Sequence, residues 1–225
     1  RRLPIWRNAG RSPKISGHPT TPGAVPDVDT AELEARLVEA GRSWADSLQE
    51  ALVDARGEEQ GLLLLRRYAN AFSTGYRERF DAHAAVLDIG LIEKAIDSGR
   101  LTMSLYRPVE APPNELRFKI YNAGDQIPLS DVLPMLEHMG LKVISEAPHL
   151  VRPLDLSRRV WIHDFLMRTA DGHDIDIGAV KDNFQKAFER TWRGKAEGDG
   201  FNRLVLLAGL TWRDVVILRA YCKYL

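Results

Sequence analysis

The turn Asn122-Ala123-Gly124-Asp125 is the stretch best suited to holding a small ligand. It joins a strand-like pattern to a helix-like one, so its backbone N–H groups could point at an anion or a carboxylate. Gly124 would allow a ligand close to the backbone. Turns of this composition also simply connect elements, and both readings stand. A second constellation, His163-Asp164 with His173-Asp174-Ile175-Asp176, offers two histidines and three carboxylates, a donor set that a metal can use. Its spacing matches no dedicated metal motif, and Asp176 stands where a helix cap belongs. Turn chemistry plus a strand histidine is therefore expected, and no metal. Glu197-Gly198-Asp199-Gly200 is read as a hinge or as an acid at a helix N-terminus, since it lacks the ligand spacing of a calcium loop. Neither a G-x-G-x-x-G turn after a strand nor a G-x-x-x-x-G-K-[ST] loop is present, so no cofactor and no catalytic residue is assigned to these residues.

Composition narrows the partners. The 225 residues carry 31 Lys and Arg against 31 Asp and Glu, a balance that offers no strong field for nucleic acid. Arg42, Arg66, Arg67, Arg77, Arg79 and Lys94 are interleaved with acids, as on a salt-bridged helix surface. Trp44, Trp161, Trp192 and Trp212 each fall on an apolar periodic face and read as core. No apolar run approaches the roughly 20 residues of a membrane span. Cys222 is the only cysteine, which excludes an intrachain disulfide and fits a reducing, cytoplasmic setting. Its place in a helical pattern predicts a small buried hydrophobe. The opening Arg1-Arg2-Leu3-Pro4 and the uncapped end at Leu225 read as a piece cut from a longer polypeptide.

The elements that must position these residues follow from period and caps. Residues 1–28, rich in proline and glycine, read as a linker or the remnant of a preceding domain. Asp29 and Glu32 have capping-box spacing, and Leu33, Leu37, Ala40, Trp44, Leu48 and Leu52 hold one face, which predicts one long helix to about Ala55. A second helix over 58–72 pairs with it as an αα-hairpin; its run Leu62 to Leu65 is apolar on more than one side and predicts a helix between other elements. A turn at 76–80 and a helix at 84–96 complete a helical segment over 29–98.

From residue 101 the order is β-β-α-β-β-α. Leu101, Met103 and Leu105 alternate with polar neighbours; Leu116, Phe118 and Ile120 alternate with Arg117, Lys119 and Tyr121, as in a strand with one wet face. Val132, Leu133, Leu136 and Met139 recur at helical spacing, with Asp131 as N-cap so that Pro134 falls in the first turn, and with Gly140 at the end. A strand at 142–147, an irregular passage with Pro148 and Pro153, and a strand at 160–168 covered on both faces follow. Asp176 then caps a helix whose face is Ile177, Val180, Phe184, Ala187, Phe188 and Trp192. This predicts an α+β fold for 99–194, an antiparallel sheet with helices on one face. Residues 195–225 are a polar joint and two helices, over 201–208 and 212–225, the second capped by Thr211 with Asp214.

At this point a resemblance becomes specific. The run Pro128-Leu129-Ser130-Asp131-Val132-Leu133-Pro134-Met135-Leu136-Glu137, continuing through Met139-Gly140-Leu141-Lys142-Val143, resembles the segment ahead of the catalytic domain in large bacterial NAD-specific glutamate dehydrogenases. Arg66-Arg67-Tyr68, Ser104-Leu105-Tyr106-Arg107-Pro108, Val160-Trp161-Ile162-His163-Asp164-Phe165 and Asp199-Gly200-Phe201-Asn202-Arg203 agree, in consistent order over 29–225. The resemblance implies an ACT-like, ferredoxin-like unit, a fold that often binds amino acids for regulation. It implies a parent enzyme that oxidises L-glutamate to 2-oxoglutarate and ammonia with NAD. The family's catalytic lysine and aspartate have no counterpart here. The expected partners are the catalytic domain of the parent chain, further copies in a homo-oligomer, and an amino-acid effector at Asn122 to Asp125; a purely structural segment without a ligand is the alternative.

Overall fold

The computed structural model describes residues 43–154 and 158–225, all within one compact unit. Four strands, β1 (Thr102–Tyr106), β2 (Glu115–Ala123), β3 (Leu141–Val151) and β4 (Val160–Thr169), stand in the order β1-β2-β4-β3, and every neighbouring pair is antiparallel. β2 and β3 are thus parallel to each other with β4 inserted between them, the split arrangement of a β-α-β-β-α-β unit. The strand that such an order would contribute last arrives first here, as β1 beside β2. Both sheet edges are guarded against further pairing. The Leu105 N–H on β1 donates to Gln185 Oε1 at 3.0 Å. β3 carries a bulge between Val143 and Ser145. It also runs on through Pro148 to Val151, beyond the end expected near residue 147. With a single neighbouring strand, β3 tolerates a residue without an N–H.

The face of β2 that bears Arg117, Lys119 and Tyr121 is not wet. Lys119 and Tyr121 are buried, and the face is the floor of a second core. Its cover is built from α1 (Trp44–Arg56), α2 (Glu58–Tyr68), α3 (Thr74–Arg77) and α4 (Ala82–Ser98). The β2 alternation correctly says which residues share a face; it does not say what lies above that face. Leu48, Leu52, Phe72, Ile89 and Ile92 from this cover pack on Tyr121, Val151, Val160 and Ile162 of the sheet.

α1 begins with a capping box in which the Ser43 side chain accepts from the Asp46 N–H and the Asp46 carboxylate accepts from the Ser43 N–H. This corrects the expectation of one helix running unbroken past residue 43, because a local start signal outweighs a continuing apolar face. The predicted start at Asp29 lies outside the described residues. α2 stops at Tyr68, because Phe72 leaves to bridge Val151 of β3. Leu62 and Leu63 are exposed, so α2 is not enclosed on all sides as its leucine run suggested. α1 and α2 do form the hairpin, and they touch at Gly61, where an added Cβ would lie 2.8 Å from Val53 Cα and 2.9 Å from Val53 N. Gly61→Ala should therefore destabilise the protein by about 1–3 kcal/mol in chemical denaturation. The same exchange at an open helix position stabilises by about 1 kcal/mol, so the sign is diagnostic.

The opposite face carries α5 (Leu129–His138), α6 (Ile177–Trp192), a 3-10 turn (Gly200–Arg203), α7 (Leu204–Leu207) and α8 (Trp212–Tyr224). Phe184 and Phe188 of α6 meet Phe118 of β2 edge-on, with ring centroids 5.2 and 5.1 Å apart. Asp176 caps α6, and Thr211 with Asp214 caps α8. α5 starts two residues before the predicted Asp131 cap, with Pro128 at the N-cap position and Pro134 inside the helix. Ile127 is buried in the core and fixes where the chain must enter. The helix forgoes one backbone hydrogen bond at Pro134 to keep that entry. Cys222 is exposed rather than buried.

Candidate functional site

β2 ends at Ala123, so the predicted ligand turn sits at the strand's rim. Asn122 Nδ2 donates to the Asp125 carbonyl at 2.7 Å, and the Gly124 N–H donates to the Arg159 carbonyl at 2.9 Å. Gly124 has φ +128°, a conformation that suits glycine. α5 begins only at Leu129, after the buried Ile127 and Pro128. The turn therefore presents no helix N-terminus. It does not fit the pyrophosphate of a dinucleotide, and no step through NAD is assigned to these residues.

Asn122 does line a cavity of about 260 Å³ together with Gly99, Arg100, Leu101, Glu189, Trp192 and Arg193. Ala123, Gly124 and Asp125 are not part of that lining. Two guanidinium groups, one carboxylate and an indole wall line it, with Arg193 Nη1 donating to Glu189 Oε1 at 3.1 Å, so Arg100 is the cation left for a ligand's carboxylate.

The two histidines are kept apart by role. His163 is buried on β4, where its Nε2 accepts from the Ile127 N–H at 3.3 Å and its Nδ1 lies 2.8 Å from Glu146 Oε1. With Nε2 accepting, the proton belongs on Nδ1, donated to Glu146. His173 contacts Asp171 in its own turn. Asp164 points to the other sheet face, and Asp176 is a cap. Among the described residues no group of His, Cys, Asp and Glu is clustered for a metal. At the 197–200 joint, Asp199 caps the 3-10 turn through the Phe201 N–H and receives both Nε and Nη2 of Arg219, at 2.6 and 2.8 Å. Arg219 Nη2 also reaches Asn202 Oδ1 at 2.8 Å. The acid thus ties α8 to the joint. The Arg219 guanidinium is the first cause that holds the Asp199 carboxyl below the ordinary range, joined by the Phe201 N–H.

A buried charge array on the α4 side escaped the sequence reading. Asp88 of α4 accepts from Tyr76 Oη at 2.6 Å, Lys119 Nζ at 2.7 Å and Tyr121 Oη at 2.7 Å. Burial first, and then the Asp88 charge, push both phenols far above their usual range, so they remain donors. The Lys119 ammonium also lies over the Phe80 ring, 3.7 Å from its centroid. Beside it Arg117 Nη1 meets Asp164 Oδ2 at 2.6 Å, with Arg79 at 3.5 Å from the same oxygen. The available signal was an acid inside the apolar stripe Ala85, Ile89, Ile92 of α4, and a lysine among the inward positions of β2.

Known proteins share much of this sequence. Residues 100–180 match the family described as glutamate dehydrogenase, ACT3 domain; residues 51–95 match its helical motif 2 and residues 196–225 its helical motif 3. The chain thus aligns with the ACT3 domain of glutamate dehydrogenases and with the helical motifs on either side of it. Over 199 residues, 88% of the chain, it is 43% identical to an NAD-specific glutamate dehydrogenase of Pseudomonas aeruginosa, covering 12% of that protein. A protein of the same description from Halomonas elongata is 41% identical over 199 residues, with 88% of the chain and 12% of that protein covered. One from Mycobacterium tuberculosis is 34% identical over 213 residues, 90% of the chain and 13% of that protein. The chain thus spans about an eighth of the length of these relatives. The matched helical motif 2 contributes to the cover over Lys119, and helical motif 3 holds the Arg219 tie. Among the described residues no helix is long and apolar enough to cross a membrane.

Proposed function

We propose that this segment is a non-catalytic assembly and positioning element of an NAD-dependent glutamate dehydrogenase, whose oxidation of L-glutamate to 2-oxoglutarate and ammonia takes place elsewhere in the parent chain. The observation that carries this reading is the uncovered face of α8. Ile217, Tyr221 and Tyr224 follow one another at helical spacing and are 54%, 67% and 93% exposed. A contiguous apolar stripe of this kind marks an interaction surface. Its occupant in this reading is the parent polypeptide itself, since about seven eighths of the relatives' length lies outside the matched segment. The rigid setting of α8 on Arg219 would hold that contact at a fixed angle to the sheet. Further copies of the parent in a homo-oligomer are the next partner this reading supplies.

In the parent enzyme, Ile217→Asp combined with Tyr221→Asp should lower kcat/KM for glutamate at least about tenfold. The variant should also open the chain around residue 225 to limited proteolysis. Unchanged turnover with an unchanged digestion pattern would end the assignment.

A second reading, amino-acid sensing, is favoured by the cavity beside Asn122. Arg100 would take a carboxylate there, and Glu189, which already accepts from Arg193 Nη1 at 3.1 Å, would offer its other oxygen to an ammonium group, with Trp192 against the side chain. Calorimetric titration of the chain with a panel of amino acids should give saturable heat for at least one, and Arg100→Gln should abolish it. Silence across the panel from a folded chain would remove this reading and leave the first untouched.

A further inference from the structure

We propose that the cleft between α4 and the β1–β2 edge binds a small organic dianion, such as a dicarboxylate with a short apolar body. The cleft measures about 470 Å³, within the range of small-molecule sites. It lies on the sheet face opposite the Phe118 core and shares only Leu91 with the nearest other cavity along β1. Arg79, Arg117, Lys119 and Lys181 line it, and two carboxylates, Asp88 and Asp164, answer these four cations. Asp88 is fully occupied by its three donors. One oxygen of Asp164 is shared between Arg117 and the more distant Arg79. Lys181 makes no ion pair among the described residues. A positive excess of two charges therefore faces the cleft.

Neutral donors point the same way. The Ser104 and Tyr106 hydroxyls line the cleft and have no hydrogen-bond partner within the described residues. Burial, above all, keeps the Tyr106 phenol protonated, so it can donate to an acceptor. Arg117 spends one of its guanidinium N–H groups on Asp164 and keeps others for a ligand. Ala84, Leu87, Leu91 and Pro108 supply apolar wall, and Leu87 is 72% exposed at the rim. A carbon chain laid there would cover it. A bare inorganic anion would leave it in water. Two separated carboxylates with a short hydrocarbon between them satisfy both the charge excess and the wall.

The test is a titration of the full 225-residue chain with succinate, followed by amide resonances, with succinamide as a neutral match in shape and inorganic phosphate as a bare anion. Succinate should give saturable shifts confined to Leu87, Tyr106, Arg117 and Lys119, and succinamide none. Lys181→Gln and Arg79→Gln should each weaken succinate about tenfold. Lys181 lies outside every ion pair among the described residues, so its variant keeps the fold, which an unchanged unfolding midpoint verifies. Arg100→Gln, on the other cavity, should leave succinate binding unaltered, which separates this proposal from amino-acid sensing. Absence of saturation, an equal response to succinamide, or full affinity in Lys181→Gln would overturn the proposal. Phosphate binding as tightly as succinate would overturn the assignment of an organic body.

Discussion

Asp88→Ala should lower the thermal midpoint by about 10 °C, from a loss of about 3–5 kcal/mol. The alanine leaves the Lys119 ammonium, almost wholly enclosed, without its counter-charge at 2.7 Å. It also strands the hydroxyls of Tyr76 and Tyr121, both fully buried. The cost comes from stranding these partners more than from the net worth of the pair, since burying two charges is itself expensive. The design of the experiment follows from that distinction. Asp88→Leu with Lys119→Met should recover most of the loss, although either single replacement is severe. A double-mutant cycle by chemical denaturation would report the coupling. If Asp88→Ala costs under about 1 kcal/mol, Lys119 is not held there as a cation, and the charge count of the adjoining cleft falls with it.

Arg219→Met should release α8 without unfolding the sheet. The methionine keeps much of the stem's apolar bulk but deletes the two bonds to Asp199 and the one to the buried Asn202. About 2–3 kcal/mol of local stability should go. Hydrogen exchange then reads the effect directly: amides of residues 215–224 should approach the unprotected rate, while those of β2 and β4 stay slow. Uniform loss of protection would show that the tie supports the whole fold. Acid should reproduce the variant. The folded Asp199 carboxyl is held below its ordinary value of 3.8, so its stabilising effect is complete above that value and is lost as pH falls beneath it. In Arg219→Met this acid sensitivity of α8 should shrink. A full pH response persisting without the arginine would assign the effect to another group.

How much of this was legible beforehand depends on the range of the interaction involved. The caps at Asp176 and at Thr211 with Asp214, and the helical stop at Gly140, use contacts within about one turn of chain, and they stand where their spacing placed them. The Ser43–Asp46 box is the same kind of signal and could have been read; the apolar face running through it drew the helix past its true start. The strand faces were equally local, since period 2 puts Phe118 and Ile120 on one side and Lys119 and Tyr121 on the other. What covers each face is not a local property. Lys119 finds Asp88 across 31 positions, and Tyr121 reaches the same carboxylate across 33.

The turn at Asn122 to Asp125 shows the same division. Its composition announced a turn, and a turn it is. Its N–H groups were free to serve a ligand only if no distant carbonyl took them, and Arg159, arriving with β4, takes that of Gly124. The cavity that Asn122 does line is completed by Arg100, Glu189 and Arg193, residues from before β1 and from the far end of α6. By itself, then, the sequence determined the order of the elements, the caps of α6 and α8, the two faces of each strand and the likeness to glutamate dehydrogenase segments, because short-range sterics and hydrogen bonding settle these within a few residues. Only the tertiary structure decided that the helices before β1 roof the polar face, that Asp88 and Lys119 are buried together, and that separate cavities lie along β1. Those outcomes depend on which distant surfaces meet once the sheet has closed, and no local period encodes them.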